Sequence, residues 1–173
     1  MPTTKKKASE SEVIMTELVL PNDTNTLDNL MGGRLLHLMD VASAISAQKH
    51  STSIVVTASV DNVSFRAPIA LGNVVTLKAK VTRSFNSSME VFIKVIAEDI
   101  PAKKKIVSNS AFYTFVAVDK NGKPVDVPEL LPETDLEKEQ YAGALRRRQL
   151  RLVLAGRMNP QDATEVKALF TQS

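Results

Sequence analysis

From Val74 to Arg83 apolar and polar positions alternate: Val75, Leu77, Ala79 and Val81 interleave with Thr76, Lys78, Lys80 and Thr82. A period of two puts one face of a strand on a core and the other toward water. Ser88 to Glu98 repeats the pattern with Met89, Val91, Ile93 and Val95. Ile106 to Val118 is a long final strand, ended by Asp119-Lys120-Asn121-Gly122. Before these, Ile54 to Phe65 alternates through Val56, Ala58 and Val60, then slips phase at Asp61-Asn62, which predicts a bulge there. A first strand is expected within Glu12 to Leu20, stopped by Pro21. Long strands joined by short turns indicate an antiparallel sheet.

Gly33 to His50 has a different texture. It lacks proline, has no glycine after its first position, and is dominated by Leu, Ala, Met, Gln and Lys, so it predicts a helix. Its polar residues Arg34, His37, Asp40, Ser43, Ser46 and Lys49 recur every third position. At ~100° per residue that series walks around the helix, leaving no wide wet face. The helix is therefore expected to be buried on nearly all sides. One flat sheet cannot do this, but a strongly curved sheet wrapped around the helix can, with a second copy closing what remains.

The flanks read differently. Residues 1–10 are polar and basic and are expected to be a disordered tail. Residues 11–130 hold the sheet and its helix. Residues 131–173 form a helical C-terminal extension, with helices at Asp135 to Leu154 and Gln161 to Phe170.

Composition narrows the chemistry. The 173 residues suit a single core, and 43% hydrophobic against 24% charged is ordinary for a soluble protein. With no Cys, thiolate nucleophiles and thiolate metal sites are excluded. Two histidines, His37 and His50, argue against a multi-histidine metal centre. A net charge of +3 is too mild to point to nucleic acid. No apolar run is long enough to cross a bilayer, and Lys5-Lys6-Lys7 is not followed by the apolar run of a secretory signal; the expected location is cytoplasmic.

Candidate chemistry gathers in residues 22–40. Asp40 sits among Leu38, Met39, Val41 and Ala42, where a carboxylate must be paired or reserved for a cleft. A structural ion pair and a general base or nucleophile are both open readings. Gly32-Gly33 marks the helix start, as a tight turn or as N–H groups that polarise a carbonyl. Asn25 is a turn residue or a polar partner. There is no Gly-x-Ser-x-Gly elbow and no glycine-rich phosphate loop.

These residues carry a resemblance. Pro21-Asn22-Asp23-Thr24-Asn25, Met31-Gly32-Gly33 and Met39-Asp40 resemble the acyl-CoA thioesterases of the hotdog superfamily. So do Val55-Val56-Thr57-Ala58-Ser59-Val60-Asp61, Phe65-Arg66-Ala67-Pro68-Ile69, Gly72-Asn73 and Ser87-Ser88-Met89-Glu90-Val91. Phe115-Val116-Ala117-Val118-Asp119 and Gly122-Lys123-Pro124 complete the match over residues 12–130. One departure stands out: the family usually has a glycine between the Asn and the Gly-Gly, where this chain has Asp28-Asn29.

The resemblance implies an α+β hotdog fold and hydrolysis of fatty acyl-CoA to fatty acid and CoA. It implies Asp40 as the catalytic carboxylate, Asn25 supplied by the partner subunit, and the Gly33 amide as oxyanion donor. Gly32, Thr57, Ser87 and Ser88 would lie near bound substrate, and Arg66, Lys103 and Arg146 are candidates for the CoA phosphates. No metal or redox cofactor would be needed, CoA being part of substrate and product, and a homodimer would be the minimal unit, assembling as a trimer of dimers. Two alternatives remain open: a module that binds acyl-CoA without cleaving it, and a hotdog enoyl-CoA hydratase.

Overall fold

A computed structural model describes residues 4–61 and 63–171. The chain divides into two compact units between Leu131 and Pro132.

The first unit holds a five-stranded sheet and one long helix. The strands are β2 (Val13–Leu18), β3 (Ile54–Asp61), β4 (Val74–Ser84), β5 (Ser88–Asp99) and β6 (Lys104–Val118), and the helix is α1 (Gly32–Ser51). Sheet order is β2-β4-β5-β6-β3, with every neighbouring pair antiparallel. The expected alternation decides the faces. Val75, Leu77, Ala79 and Val81 of β4 are buried, as are Met89, Val91, Ile93 and Val95 of β5. Burial of one such aliphatic side chain stabilises by about 1.5–3 kcal/mol. α1 contacts all five strands, so the sheet curves around it.

The helix is less enclosed than its composition suggests. Leu35, Leu38, Met39, Ala42, Ala47 and His50 are buried, whereas His37, Ile45, Gln48 and Lys49 are exposed. A single sheet covers one side only, and the other side of α1 is left open in one protomer.

Three further departures have physical reasons. The bulge in β3 falls between Thr57 and Ser59, opposite Phe115 and Thr114, so Ala58 is the extra residue. The expected bulge at Asp61-Asn62 includes Asn62, which lies outside the described residues. The segment expected as a disordered tail is ordered from residue 5: Lys5–Lys7 forms β1, paired in parallel with β7 (Glu129–Leu131), and a short 3-10 turn follows at Ala8–Ser11. Ser11 Oγ accepts from the Val81 N–H at 3.0 Å, which anchors that turn on β4. The first three residues of the expected tail lie outside the described residues. In Asp28-Asn29, the pair found where the family usually carries a glycine, Asp28 has φ +55, the left-handed conformation that glycine adopts without strain.

The second unit is a helical hairpin, α2 (Asp135–Leu154) and α3 (Thr164–Thr171), with a 3-10 turn at Pro160–Asp162 before α3. Thr134 caps α2 through a reciprocal pair: its Oγ1 accepts from the Glu137 N–H, and Glu137 Oε2 accepts from the Thr134 N–H. Gln149 fastens α3, its Oε1 accepting from the Glu165 N–H at 2.8 Å.

Candidate active site

The loop before α1 is built around Asp23. Its Oδ2 accepts from the Leu20 N–H, its Oδ1 from Arg34 Nε at 2.9 Å, and its carbonyl from the Met31 N–H at 2.9 Å. One carboxylate thus joins the turn at Pro21–Asp23 to the first turn of the helix. Asn25 Oδ1 accepts from the N–H groups of Leu27 and Asn29 at 2.9 and 3.2 Å, a side-chain turn that leaves the residue exposed. Leu30 N–H donates to the Ile69 carbonyl at 2.7 Å, and Leu71 N–H to that of Asp28 at 2.8 Å. Ser108 Oγ of β6 in turn donates to the Ala67 carbonyl at 3.0 Å.

Between these walls lies a cleft of about 380 Å³. Asn25, Gly32 and Leu35 border it on the helix side, with Phe65, Pro68 and Ile69 opposite. The start of α1 opens onto it. No side chain caps that helix at Met31, and a Cβ placed on Gly33 would meet nothing within 4 Å. Uncapped N–H groups and the positive end of a helix dipole, reached without obstruction, suit a carbonyl oxygen that gains charge.

Asp40 is elsewhere. It lies seven residues beyond Gly33, about 10 Å along the helix axis at ~1.5 Å per residue. Thr57 Oγ1, on the bulged part of β3, donates to Asp40 Oδ1 at 2.8 Å. The bulge re-aims this side chain across to the helix. Beneath them Tyr113 donates at 3.5 Å to the Leu36 carbonyl, one turn before Asp40. Its phenol is pushed up to about 12, chiefly by burial and secondly by the Asp40 carboxylate, so it keeps its proton.

The other expected residues are not gathered in one protomer. Thr57, expected beside substrate, is hydrogen-bonded to Asp40. Ser87 and Ser88 sit at one end of β5 and Lys103 in the turn beyond its other end, about 35–40 Å apart along the strand at ~3.3 Å per residue. Arg66 is exposed beside Phe65, and Arg146 lies on α2 in the second unit. His37, one turn before Asp40, is exposed. Among the described residues no cluster of three His, Asp or Glu could hold a metal ion, and no helix is long and apolar enough to cross a membrane. Asp23, Phe65 and Tyr113 were not singled out from the sequence; Asp23 and Phe65 sit inside recognised motifs, but Tyr113 carries no local signal.

A model of the thioesterase superfamily matches residues 27–102. The uncharacterized acyl-CoA thioester hydrolase YkhA of Bacillus subtilis is 44% identical over 138 residues, covering 80% of either chain. This chain belongs to the thioesterase superfamily. Within it the similarity is to acyl-CoA hydrolases. A cytosolic acyl coenzyme A thioester hydrolase of Rattus norvegicus is 35% identical, over 88% of this chain and 41% of its own length. An apo-hexameric acyl-CoA thioesterase superposes with a TM-score of 0.85 at 38% identity, over 88% of this chain and 97% of that one. The acyl-CoA hydrolase of Staphylococcus aureus, solved with butyryl coenzyme A and coenzyme A, gives 0.80 at 37% identity, over 88% and 94%. That enzyme has also been solved with an aspartate, a threonine or an asparagine changed to alanine. The five-stranded antiparallel sheet around a long central helix is the hotdog fold of this superfamily.

Proposed function

We propose that this acyl-CoA thioesterase hydrolyses fatty acyl-CoA at a site shared by two chains, with Gly33 and Asn25 from one and Asp40 from the other. The observation that carries this is the spacing along α1. The base and the oxyanion donors of an acyl transfer must all reach one carbonyl group. Gly33 and Asp40 of a single helix are about 10 Å apart, at ~1.5 Å per residue, and cannot do so. A partner's Asp40 can. The open face of α1 and the edge strand β3 provide a place for that partner. Among the described residues β3 pairs with β6 alone, and its Ile54, Val56 and Val60 are 55%, 48% and 40% exposed, with Ile45 of α1 also exposed.

The chemistry follows. The Gly33 N–H holds the thioester oxygen as it becomes an oxyanion. Asp40, oriented by Thr57, takes a proton from water that adds to the carbonyl carbon, or adds there itself. In the first route the C–S bond breaks as the proton passes to the sulfur, giving the fatty acid and the CoA thiol. In the second CoA leaves as the thiolate, and water then opens the Asp40–acyl anhydride to release the fatty acid and regenerate the carboxylate. Asn25 orients the water or the carbonyl. Further support comes from the Staphylococcus aureus variants: the altered asparagine, aspartate and threonine stand at the same intervals as Asn25, Asp40 and Thr57. Arg66, Lys103 and Arg146 are assigned to the CoA phosphates, with Thr57, Ser87 and Ser88 nearer the pantetheine and Gly32 beside the thioester. Three dimers assemble as a hexamer, and a hexameric thioesterase among the structural neighbours supports this size. The site of action is cytoplasmic, the location in the name of the rat relative.

Thiol release from acyl-CoA without added metal is the test. Asp40→Asn should retain CoA binding while turnover falls by about 100-fold or more. Full activity in that variant would return Asp40 to a structural role, and CoA binding without thiol release by the wild type would make the chain a binding module.

A further inference from the structure

The cleft beside Gly32 has features that thioester chemistry does not require. Leu30, Leu35, Phe65, Ala67, Pro68 and Ile69 give it walls of carbon, and its polar side chains, Asn25 and Asn29, come from the loop alone. Phe65 is 56% exposed, although an aromatic ring normally buries most of its surface. The ring points tip-first at Gly32. A Cβ built there would lie 3.1 Å from Phe65 Cζ and 3.5 Å from both Cε atoms. A side chain at that position would push the ring back by a few tenths of an ångström.

We propose that this cleft takes the acyl chain and that Phe65, seated on Gly32, sets the chain length it accepts. The proposal rests on the thioester carbonyl lying at the start of α1. From that point the substrate extends in two directions, as an acyl chain and as a pantetheine arm. The arm carries two amides whose hydrogen bonds must be replaced on burial. A carbon-lined cleft cannot replace them, and Asn25 Oδ1 already accepts two backbone N–H groups. A hydrocarbon chain needs nothing from such walls except contact, and its presence covers the exposed face of Phe65. The volume is within the range of small-ligand pockets, about 300–1,000 Å³.

The walls differ in how far they can yield. Ala67 is tied to β6 through Ser108, and Ile69 to the loop through Leu30. Phe65 precedes both anchors, and its ring is held by contact with Gly32. Its volume is therefore the adjustable boundary of the cleft.

The experiment compares kcat/KM over straight-chain acyl-CoAs from acetyl to palmitoyl for wild type, Phe65→Ala, Gly32→Ala and the double variant. Phe65→Ala should raise the ratio of long-chain to short-chain kcat/KM by about tenfold or more, the scale of one methylene in an apolar pocket. Gly32→Ala, by driving the ring into the cleft, should shift the profile toward shorter chains. The double variant should behave like Phe65→Ala, because the displaced ring is gone. If Gly32→Ala is insoluble, Phe65→Ala alone decides. A Phe65→Ala enzyme that releases thiol with an unmoved chain-length profile overturns this proposal and leaves the functional reading intact. A wild type that cleaves no acyl-CoA overturns both.

Discussion

His50 closes α1 with one ring nitrogen occupied and one not. Nε2 lies 2.8 Å from the Pro128 carbonyl, and Nδ1 is buried with no partner among the described residues. Burial holds its pKa below the ordinary histidine value; the Pro128 bond and Glu10 act upward, and Lys6 acts downward with burial. The folded protein therefore keeps the ring neutral where an unfolded chain would protonate it. With the unfolded state binding more protons, stability present above about pH 6.5 declines as pH falls below that value. Thermal unfolding from pH 7.5 to 5.5 should show this loss. His50→Gln, whose amide can still reach the Pro128 carbonyl, should flatten the dependence, and an equally steep fall in that variant would clear His50 of the effect.

At the level of elements, the loop and helix start form one assembly through Asp23. Asp23→Ala removes an N–H cap and an ion pair together and should cost about 1–2 kcal/mol, most of it from the cap. Amide exchange should quicken at residues 22–30, and turnover should fall with the loss of Asn25 positioning. Unchanged exchange there would show that the loop is held by its contacts with residues 69–71 instead. The elements also show where sequence reasoning reaches. Composition and the lack of proline located α1 to within one residue at either end, and alternation located β4 and β5 as well, because one side of each strand faces a core. It missed the bulge at Ala58, because that small residue fits either face of the strand and leaves the alternation unbroken. It missed β1 because the parallel partner of Lys5–Lys7 lies at Glu129–Leu131, and a short charged segment carries no periodic signal of a distant pairing. Motif matching singled out Asn25, Gly33, Asp40 and Thr57 as candidates. The bond from Thr57 to Asp40 depends on how a bulged strand crosses a helix, which no local spacing records.

For the whole molecule, a shared site makes a prediction about mixtures. Asn25→Ala and Asp40→Ala chains, each inactive alone, are unfolded together and refolded. In a mixed dimer one site carries both lesions and the other carries neither. Random pairing makes half the dimers mixed, so roughly a quarter of wild-type activity should return. Subunit exchange confirmed by mass spectrometry, with a mixture as inactive as either parent, would place both residues of each site in one chain.

The order of elements has a consequence for synthesis. α1 is complete at Ser51, yet the strands that cover its apolar side, β4 to β6, end only at Val118. At translation rates of about 5–20 residues per second, the helix emerges roughly 3–13 s before its last covering strand. Through that interval Leu35, Leu38 and Met39 have no sheet to pack against, and the exposed edge of β3 follows them out of the ribosome. A newborn chain therefore passes through a period in which chaperones and neighbouring nascent copies compete for the surface that the finished sheet will claim.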